Sequence, residues 1–284
     1  MVDLPAALDR PGLRLTVAEL MSLRPPVRMQ RHRPASRRAG AIPARIAGQG
    51  MDLREIRAFA EGDDLRRIDP AATARTGQLH VRSFHEDRDD STLLIADFRA
   101  AMLWGTGDAL RSVRGARHLA LLGWRAALRG GSVGVLVVGD AAPLALKPAG
   151  GAAQMQAVAQ ALARGHDAAL RARAGAGNPA VPLEPALAQA LRMLAPGGRV
   201  HLATGPDGLA GADAALGRLA QSRRLELHLI LDPAETAPPA PPLAVSDGSH
   251  SRHGRLTAFD PQPLLAHLRG LGTHPDLVTG DDPG

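Results

Sequence analysis

Three groups of residues in this chain carry side chains that could do chemistry. The densest is Gly62-Asp63-Asp64-Leu65-Arg66-Arg67-Ile68-Asp69, with Arg75 close behind. Carboxylates beside guanidinium groups invite a hydrolase reading, but no committed base, nucleophile or oxyanion donor accompanies them. The same residue types build an Arg–carboxylate network equally well. Guanidinium and carboxylate pair bidentately and pin an irregular segment without any catalysis. The second group is Asp97, which closes the apolar run Thr92-Leu93-Leu94-Ile95-Ala96. An aspartate at the C-terminal end of a buried parallel strand stands where open α/β sheets place their ligand sites. The third is His250-Ser251-Arg252-His253, two imidazoles in a Ser/Gly/Asp loop with no clear further ligand. Zinc needs three or four committed ligands, so a solvated loop is the expectation. The chain contains no H-E-x-x-H, no G-x-S-x-G and no P-loop. It has no Cys, hence no thiolate nucleophile, disulfide or Cys-type zinc site.

The elements that must position Asp97 follow from hydrophobic periodicity. Val133 to Val138, Val200 to Ala203 and Leu225 to Leu231 read, like Thr92 to Ala96, as buried strands. Helical periods lie between them: Asp108, as cap, through Arg129; Ala152 to Arg164; Glu184 to Leu194; Leu209 to Ala220. Gly165 to Pro182 reads as a loose connection, and the tail offers a strand at Arg255 to Phe259 and a helix at Pro263 to Leu271. Strands alternating with helices imply an α/β fold with a right-handed, mostly parallel sheet covered on both faces. Leu79 to Phe84 alternates as an edge strand does. Leu13 to Leu23 reads as a short helix with Thr16 as its cap.

Charge divides the chain unevenly. Residues 1–50 hold nine Arg against Asp3, Asp9 and Glu19, a surplus that equals the net +6 of the whole chain. Arg24 to Gly50 is rich in Pro and lacks a hydrophobic period, so it reads as an extended basic arm. Such an arm could bind nucleic acid or an anionic surface, although no aromatics interleave with its arginines to stack bases. A solvated linker is the simpler reading, and nucleic acid is not the expected partner. No run approaches a membrane span and no leader pattern opens the chain, which makes the cytoplasm the expected location. The divisions expected are 1–47 for the N-terminal helix and arm, 48–90 for the Asp/Arg/Gly-rich segment, and 91–284 for the α/β body with its C-terminal extension.

From Gly48 the sequence reads G-x-G-x-x-x-x-x-I-R-x-F-x-x-G-D-D-x-R-x-I-D-x-x-x-x-A-R-T-G-x-L-x-V-R-x-F-x-E, followed by a strand ending in Asp. This resembles the bacterial domain of unknown function 58 family, over roughly residues 48–232. The family commonly has Trp where this chain has Pro70. The resemblance implies a von Willebrand factor A-like fold and association with MoxR-type AAA+ ATPases, with a client protein as a further partner. It also implies a first strand ending in D-x-S-x-S at a metal-ion-dependent adhesion site, completed by a Thr and a second Asp. Here that pattern reads Asp97-Phe98-Arg99-Ala100-Ala101, so Arg99 and Ala101 replace both hydroxyls. Val181-Pro182-Leu183-Glu184 stands where the Thr is expected, and Ala203-Thr204-Gly205 lacks the Ser-Asp. Thr204 or Asp207 could offer an oxygen. The expectation is a non-enzymatic adaptor with a degenerate site that holds no metal or other cofactor, Asp97 being neutralised by Arg99, Arg111 or Arg114.

Overall fold

The computed structural model describes residues 8–26, 41–60, 63, 65–139, 143–174, 181–246 and 251–280. Near the N-terminus, helix α1 (Val17–Ser22) is capped by Thr16, whose Oγ1 accepts from Glu19 N at 3.2 Å. Strand β1 (Ala41–Ala58) pairs antiparallel with β2 (His80–Asp89), with register shifts after Pro43, Gly48 and Leu53. The expected arm is therefore corrected: from Ala41 onward it is a strand, and a boundary at 47/48 falls inside β1. Gly and Pro hid the strand because its ladder is irregular and its partner lies far along the sequence. Between these strands sits helix α2 (Pro70–Thr76), capped by Asp69, whose Oδ1 accepts from Ala72 N at 2.8 Å. Pro70 occupies the first helical turn, where a missing N–H costs nothing.

The body is one six-stranded sheet. Its strands are β3 (Ser91–Asp97), β4 (Ser132–Val138), β5 (Leu144–Ala149), β6 (Arg199–Thr204), β7 (Arg224–Ile230) and a last strand, reached after the separate ribbon β8 (Leu243–Ser246) and β9 (Ser251–Gly254), which is β10 (His274–Val278). The order is β10-β7-β6-β3-β4-β5, parallel throughout except for the β4–β5 pair. Buried parallel strands are apolar on both faces, which is why β3, β4, β6 and β7 were readable. The expected strand at 255–259 is absent; β9 ends before it, at Gly254.

Helices cover both faces. On one, α1 joins α3 (Arg111–Leu128) and α4 (Ala152–Ala174) over Leu94, Ala96, Val135, Val137, Ala203 and Ile230. On the other, α5 (Glu184–Met193) and α6 (Asp213–Ser222) cover Leu93, Ile95, Leu136, Leu202 and Leu227. After β7 the chain makes the short turn of helix α7 (Pro233–Thr236), and before β10 it forms α8 (Gln262–Gly270), which joins the second face. Helix α4 runs ten residues past the expected end at Arg164. Gly165 makes this possible, because a Cβ there would lie 2.6 Å from the Val137 side chain. Helix α3 begins at Arg111 with Leu110 as N-cap, so Asp108 is not its cap. Residues 8–26 are part of the body: Leu15 and Leu20 are buried and Trp124 Nε1 donates to Leu20 O at 3.1 Å. Arg14 clasps Asp167 through Nε at 3.0 Å and Nη2 at 2.9 Å, and Arg24 lies over the Trp124 ring. Among the described residues no helix is long and apolar enough to cross a membrane.

Candidate functional site

Strand β3 lies in the middle of the sheet and delivers Asp97 to its C-terminal edge, paired with Val138 of β4. Asp97 is 1% exposed, and both its oxygens are engaged. Oδ1 accepts from Arg99 N at 3.0 Å and Arg99 Nε at 2.9 Å; Oδ2 accepts from Arg99 Nη2 at 2.6 Å and from Thr204 Oγ1 at 2.6 Å. Arg99 is 8% exposed, and its guanidinium reaches further, with Nη1 on Val181 O at 2.8 Å and Nη2 on Gly208 O at 2.7 Å. Gly208 has to be glycine here. A Cβ would come within 2.4 Å of Thr204 Oγ1, 2.8 Å of Arg99 Nη2 and 2.9 Å of Asp97 Oδ2. Ala101 sits in the 3-10 turn Ala100–Met102 and offers only its backbone oxygen, to Arg111 Nη1 at 3.5 Å.

A divalent cation does not fit this arrangement. Mg²⁺ needs near-octahedral oxygen ligands. Here a guanidinium lies across both carboxylate oxygens, and the Thr204 hydroxyl donates a hydrogen bond to one of them. The loop carbonyls that could have faced a cation face Arg99 instead.

Two more buried arginines stand beside this knot, both from the first turn of α3. Arg111 is fully buried, with Nε on Ile230 O at 2.9 Å and Nη1 3.3 Å from the exposed Asp207 and 3.7 Å from Glu235. Its guanidinium lies over the Trp104 ring and against Gly205, where a Cβ would sit 2.0 Å from Nη2. Arg114 pairs with the fully buried Asp232 at 3.5 Å. Asp232 also accepts from Thr106 N at 2.8 Å, Thr106 Oγ1 and Ala234 N at 3.0 Å, and closes a capping box with Glu235. Burial alone would raise its pKa, but the Thr106 and Ala234 hydrogen bonds and Arg114 outweigh it and hold Asp232 below the ordinary value. Glu235 goes the other way: burial raises it, against the Asp232 N–H and Arg111.

A further polar group was missed in the sequence. His118 of α3, His228 of β7 and His201 of β6 form a chain: His118 Nε2 lies 3.1 Å from His228 Nδ1, and His228 Nε2 lies 3.0 Å from His201 Nδ1. Sequence separations of 110 and 27 leave no spacing signal. The available signal was one His inside each of two otherwise buried apolar strands. Burial, aided by the neighbouring rings, lowers His201 to about 2 and His228 to about 3.

The signature segment is organised locally. Asp63 Oδ2 accepts from Ala60 N at 2.7 Å, Asp69 is buried as the α2 cap, and Arg75 lies in the exposed last turn of α2. Asp69 N donates to His80 O at 2.8 Å, and Ile68 bridges Val81, so this stretch docks on β2. Gly62, Asp64 and the side chain of Arg67 lie outside the described residues, as does His250; His253 is exposed on β9.

Comparison with known proteins decides the family. The model of the "protein of unknown function DUF58" family matches residues 55–200, half of the chain. The chain belongs to the DUF58 family. Uncharacterised proteins of Mycobacterium bovis and Mycobacterium tuberculosis are 44% identical to it over 61 residues, 22% of this chain and 19% of each relative. The chain thus aligns with about a fifth of the length of these relatives. Among solved structures, an aerotolerance-related membrane protein from Bacteroides fragilis is similar at a TM-score of 0.43 and 12% identity, covering 68% of this chain and 92% of its own. The DUF58 match spans β3, α3, β4 and α4, and hence both Asp97 and Arg99.

Proposed function

We propose that this DUF58 protein is a non-enzymatic adaptor that docks a partner on the C-terminal edge of its sheet without a divalent cation. The observation that carries the reading is the Asp97–Arg99–Thr204 knot. A module of the von Willebrand factor A kind would hold a cation where Arg99 lies, and the cation would take a carboxylate from the partner. In this chain the guanidinium already supplies the positive charge. The carboxylate is paired with the guanidinium, the hydroxyl donates its hydrogen bond to that carboxylate, and on this reading neither serves as base or nucleophile. What remains at the rim is a recognition surface: Thr106, Asp207 and the backbone around them, held by Arg111, Arg114 and Asp232.

The partner we put forward from the family context is a MoxR-type AAA+ ATPase, which sets the protein to work in the cytoplasm. A pull-down of tagged protein with ATP present or absent, each with and without EDTA, tests the reading. Capture of an AAA+ ATPase that responds to ATP when Mg²⁺ is present, and whose nucleotide-independent fraction survives EDTA, is the expected outcome. Capture abolished by EDTA and restored by Mg²⁺, in nucleotide-independent binding, would reject cation-free docking. Hydrolysis lost in Asp97→Asn would reject the non-enzymatic reading.

A further inference from the structure

We propose that the open groove between the end of α1 and the last turns of α3 is a docking site for a short acidic peptide segment that carries leucine-type side chains. Helix α3 starts beside the Asp97 knot and runs about 27 Å toward the other end of the sheet. The groove at its far end is thus a face separate from the Asp97 edge. Leu121, Arg125, Leu128 and Arg129 recur at helical spacing and so share one stripe of α3. Leu121 and Leu128, with Leu23, make the floor, and Pro25-Pro26 stands at the side of a space of about 620 Å³. Clefts that hold ligands have this size. Leu128 is 39% exposed, among the few large apolar side chains that the described residues leave open. Trp124 is buried beneath the groove, with its indole N–H engaged on Leu20 O.

Three exposed arginines, Arg24, Arg125 and Arg129, stand around that apolar floor. Arg24 stacks over the Trp124 ring at 5.4 Å, which holds its planar fork in place. Arg129 has Asp90 at 3.6 Å, in a pair whose guanidinium side stays open to solvent. The sequence that follows Pro26 reinforces the positive field: Val27 through Gly40 holds five Arg and His32 and no Asp or Glu. Its charge has the same sign as the rim, so complementarity calls for an acidic occupant. The floor and the rim together select its chemistry. A carboxylate meets a guanidinium bidentately, while a leucine-type side chain removes Leu128 from water. Nucleic acid would lay phosphates over leucine and proline and would find no open ring to stack on, since Trp124 is covered. A bilayer surface takes up a protruding apolar face, and this one is recessed.

Fluorescence anisotropy of the full chain with a fluorescein-labelled peptide, Glu-Asp-Leu-Glu-Glu-Leu-Asp, reads this directly. Saturable one-to-one binding that weakens as salt is raised is expected. Replacing both leucines of the peptide by serine should cost about tenfold in affinity, as should Leu128→Ser or Arg125→Glu in the protein. Arg164→Glu, at an exposed position of α4, makes the same change of charge and should leave binding nearly unchanged. Circular dichroism of each variant separates loss of site from loss of fold. In the unaltered protein the Trp124 Nε1–H resonance should shift when unlabelled peptide is added, a readout that needs no variant. Absence of saturable binding overturns the inference. So does equal binding of the serine peptide, or a loss with Arg164→Glu as large as that with Arg125→Glu. Tighter binding of single-stranded DNA or of phosphatidylserine vesicles than of the peptide, at equal salt, overturns it as well. Dimerisation of the chain that Leu128→Ser dissolves would give the groove to a second copy instead.

Discussion

Arg99 directs four guanidinium hydrogen bonds, two to Asp97 and one each to Val181 O and Gly208 O. Removing it leaves a carboxylate that is 1% exposed without its cation. Breaking a buried pair from one side costs about 3–5 kcal/mol, so Arg99→Ala should lower the melting temperature sharply, while the double variant Arg99→Ala/Asp97→Ala recovers part of the loss. A double variant whose loss equals the sum of the two single losses would show that the pair is not coupled. Gly208→Ala forces a methyl into the same knot and should cost about 1–3 kcal/mol, read by denaturant unfolding. In the unaltered protein, calorimetric titration with Mg²⁺ or Mn²⁺ should give no saturable binding that depends on Asp97. At this scale the sequence was half legible. Asp97 and Arg99 were visible side by side, but the carbonyls of Val181 and Gly208 were not, because backbone acceptors leave no trace in residue identity. The His118–His228–His201 chain was hidden for a related reason, since its members meet only once α3 is laid across β6 and β7.

Helix α2 exists because Asp69 caps it and Pro70 starts it, and Gly77 at φ 74° ends it. Asp69 Oδ1 accepts from Ala72 N, which makes this residue a helix cap, a role the Asp-Pro step alone did not announce. Asp69→Ala should cost about 0.5–2 kcal/mol for the lost cap, and Asp69→Asn, which keeps an acceptor, clearly less. A melting temperature unchanged by Asp69→Ala would mean that the helix is held by β2 alone. Legibility among elements followed burial. The central parallel strands are continuous apolar runs, whereas β5 carries Pro148 and a half-exposed alternation and β10 is five residues beginning His274-Pro275. Edge strands bury one side, so their composition drifts toward that of loops. The end of α4 was misjudged because Gly165 reads as a stop, yet in the folded protein it is a contact with Val137.

The molecule as a whole buries imidazoles that must stay neutral. His166 is fully buried beside Ser112 and Phe98 and is lowered by burial to about 4, while His201 and His228 are lowered further. The unfolded chain protonates such groups near their ordinary pKa of about 6.5, the folded one does not, so below that pH the unfolded state binds more protons. Stability should therefore be flat from these groups above neutrality and fall as pH drops from about 6.5 toward 4, by about 1.4 kcal/mol per pH unit for each imidazole. Asp232, held low, adds its own loss at still more acid pH. Urea unfolding at a series of pH values checks this; a stability constant between pH 7 and 5 would contradict it. The Arg99 knot bears on time as well as on equilibrium. Its partners lie 82, 107 and 109 residues away along the chain, so it can close only after β6 and the loops around it have assembled on β3. Contacts of such separation form late, and late contacts govern the rate of unfolding more than that of folding. Arg99→Ala should accordingly steepen the loss of native protein over time while leaving the refolding limb of a chevron nearly where it was. The guanidinium would then act as a brake on opening of the sheet edge, setting how long a docked surface persists once formed.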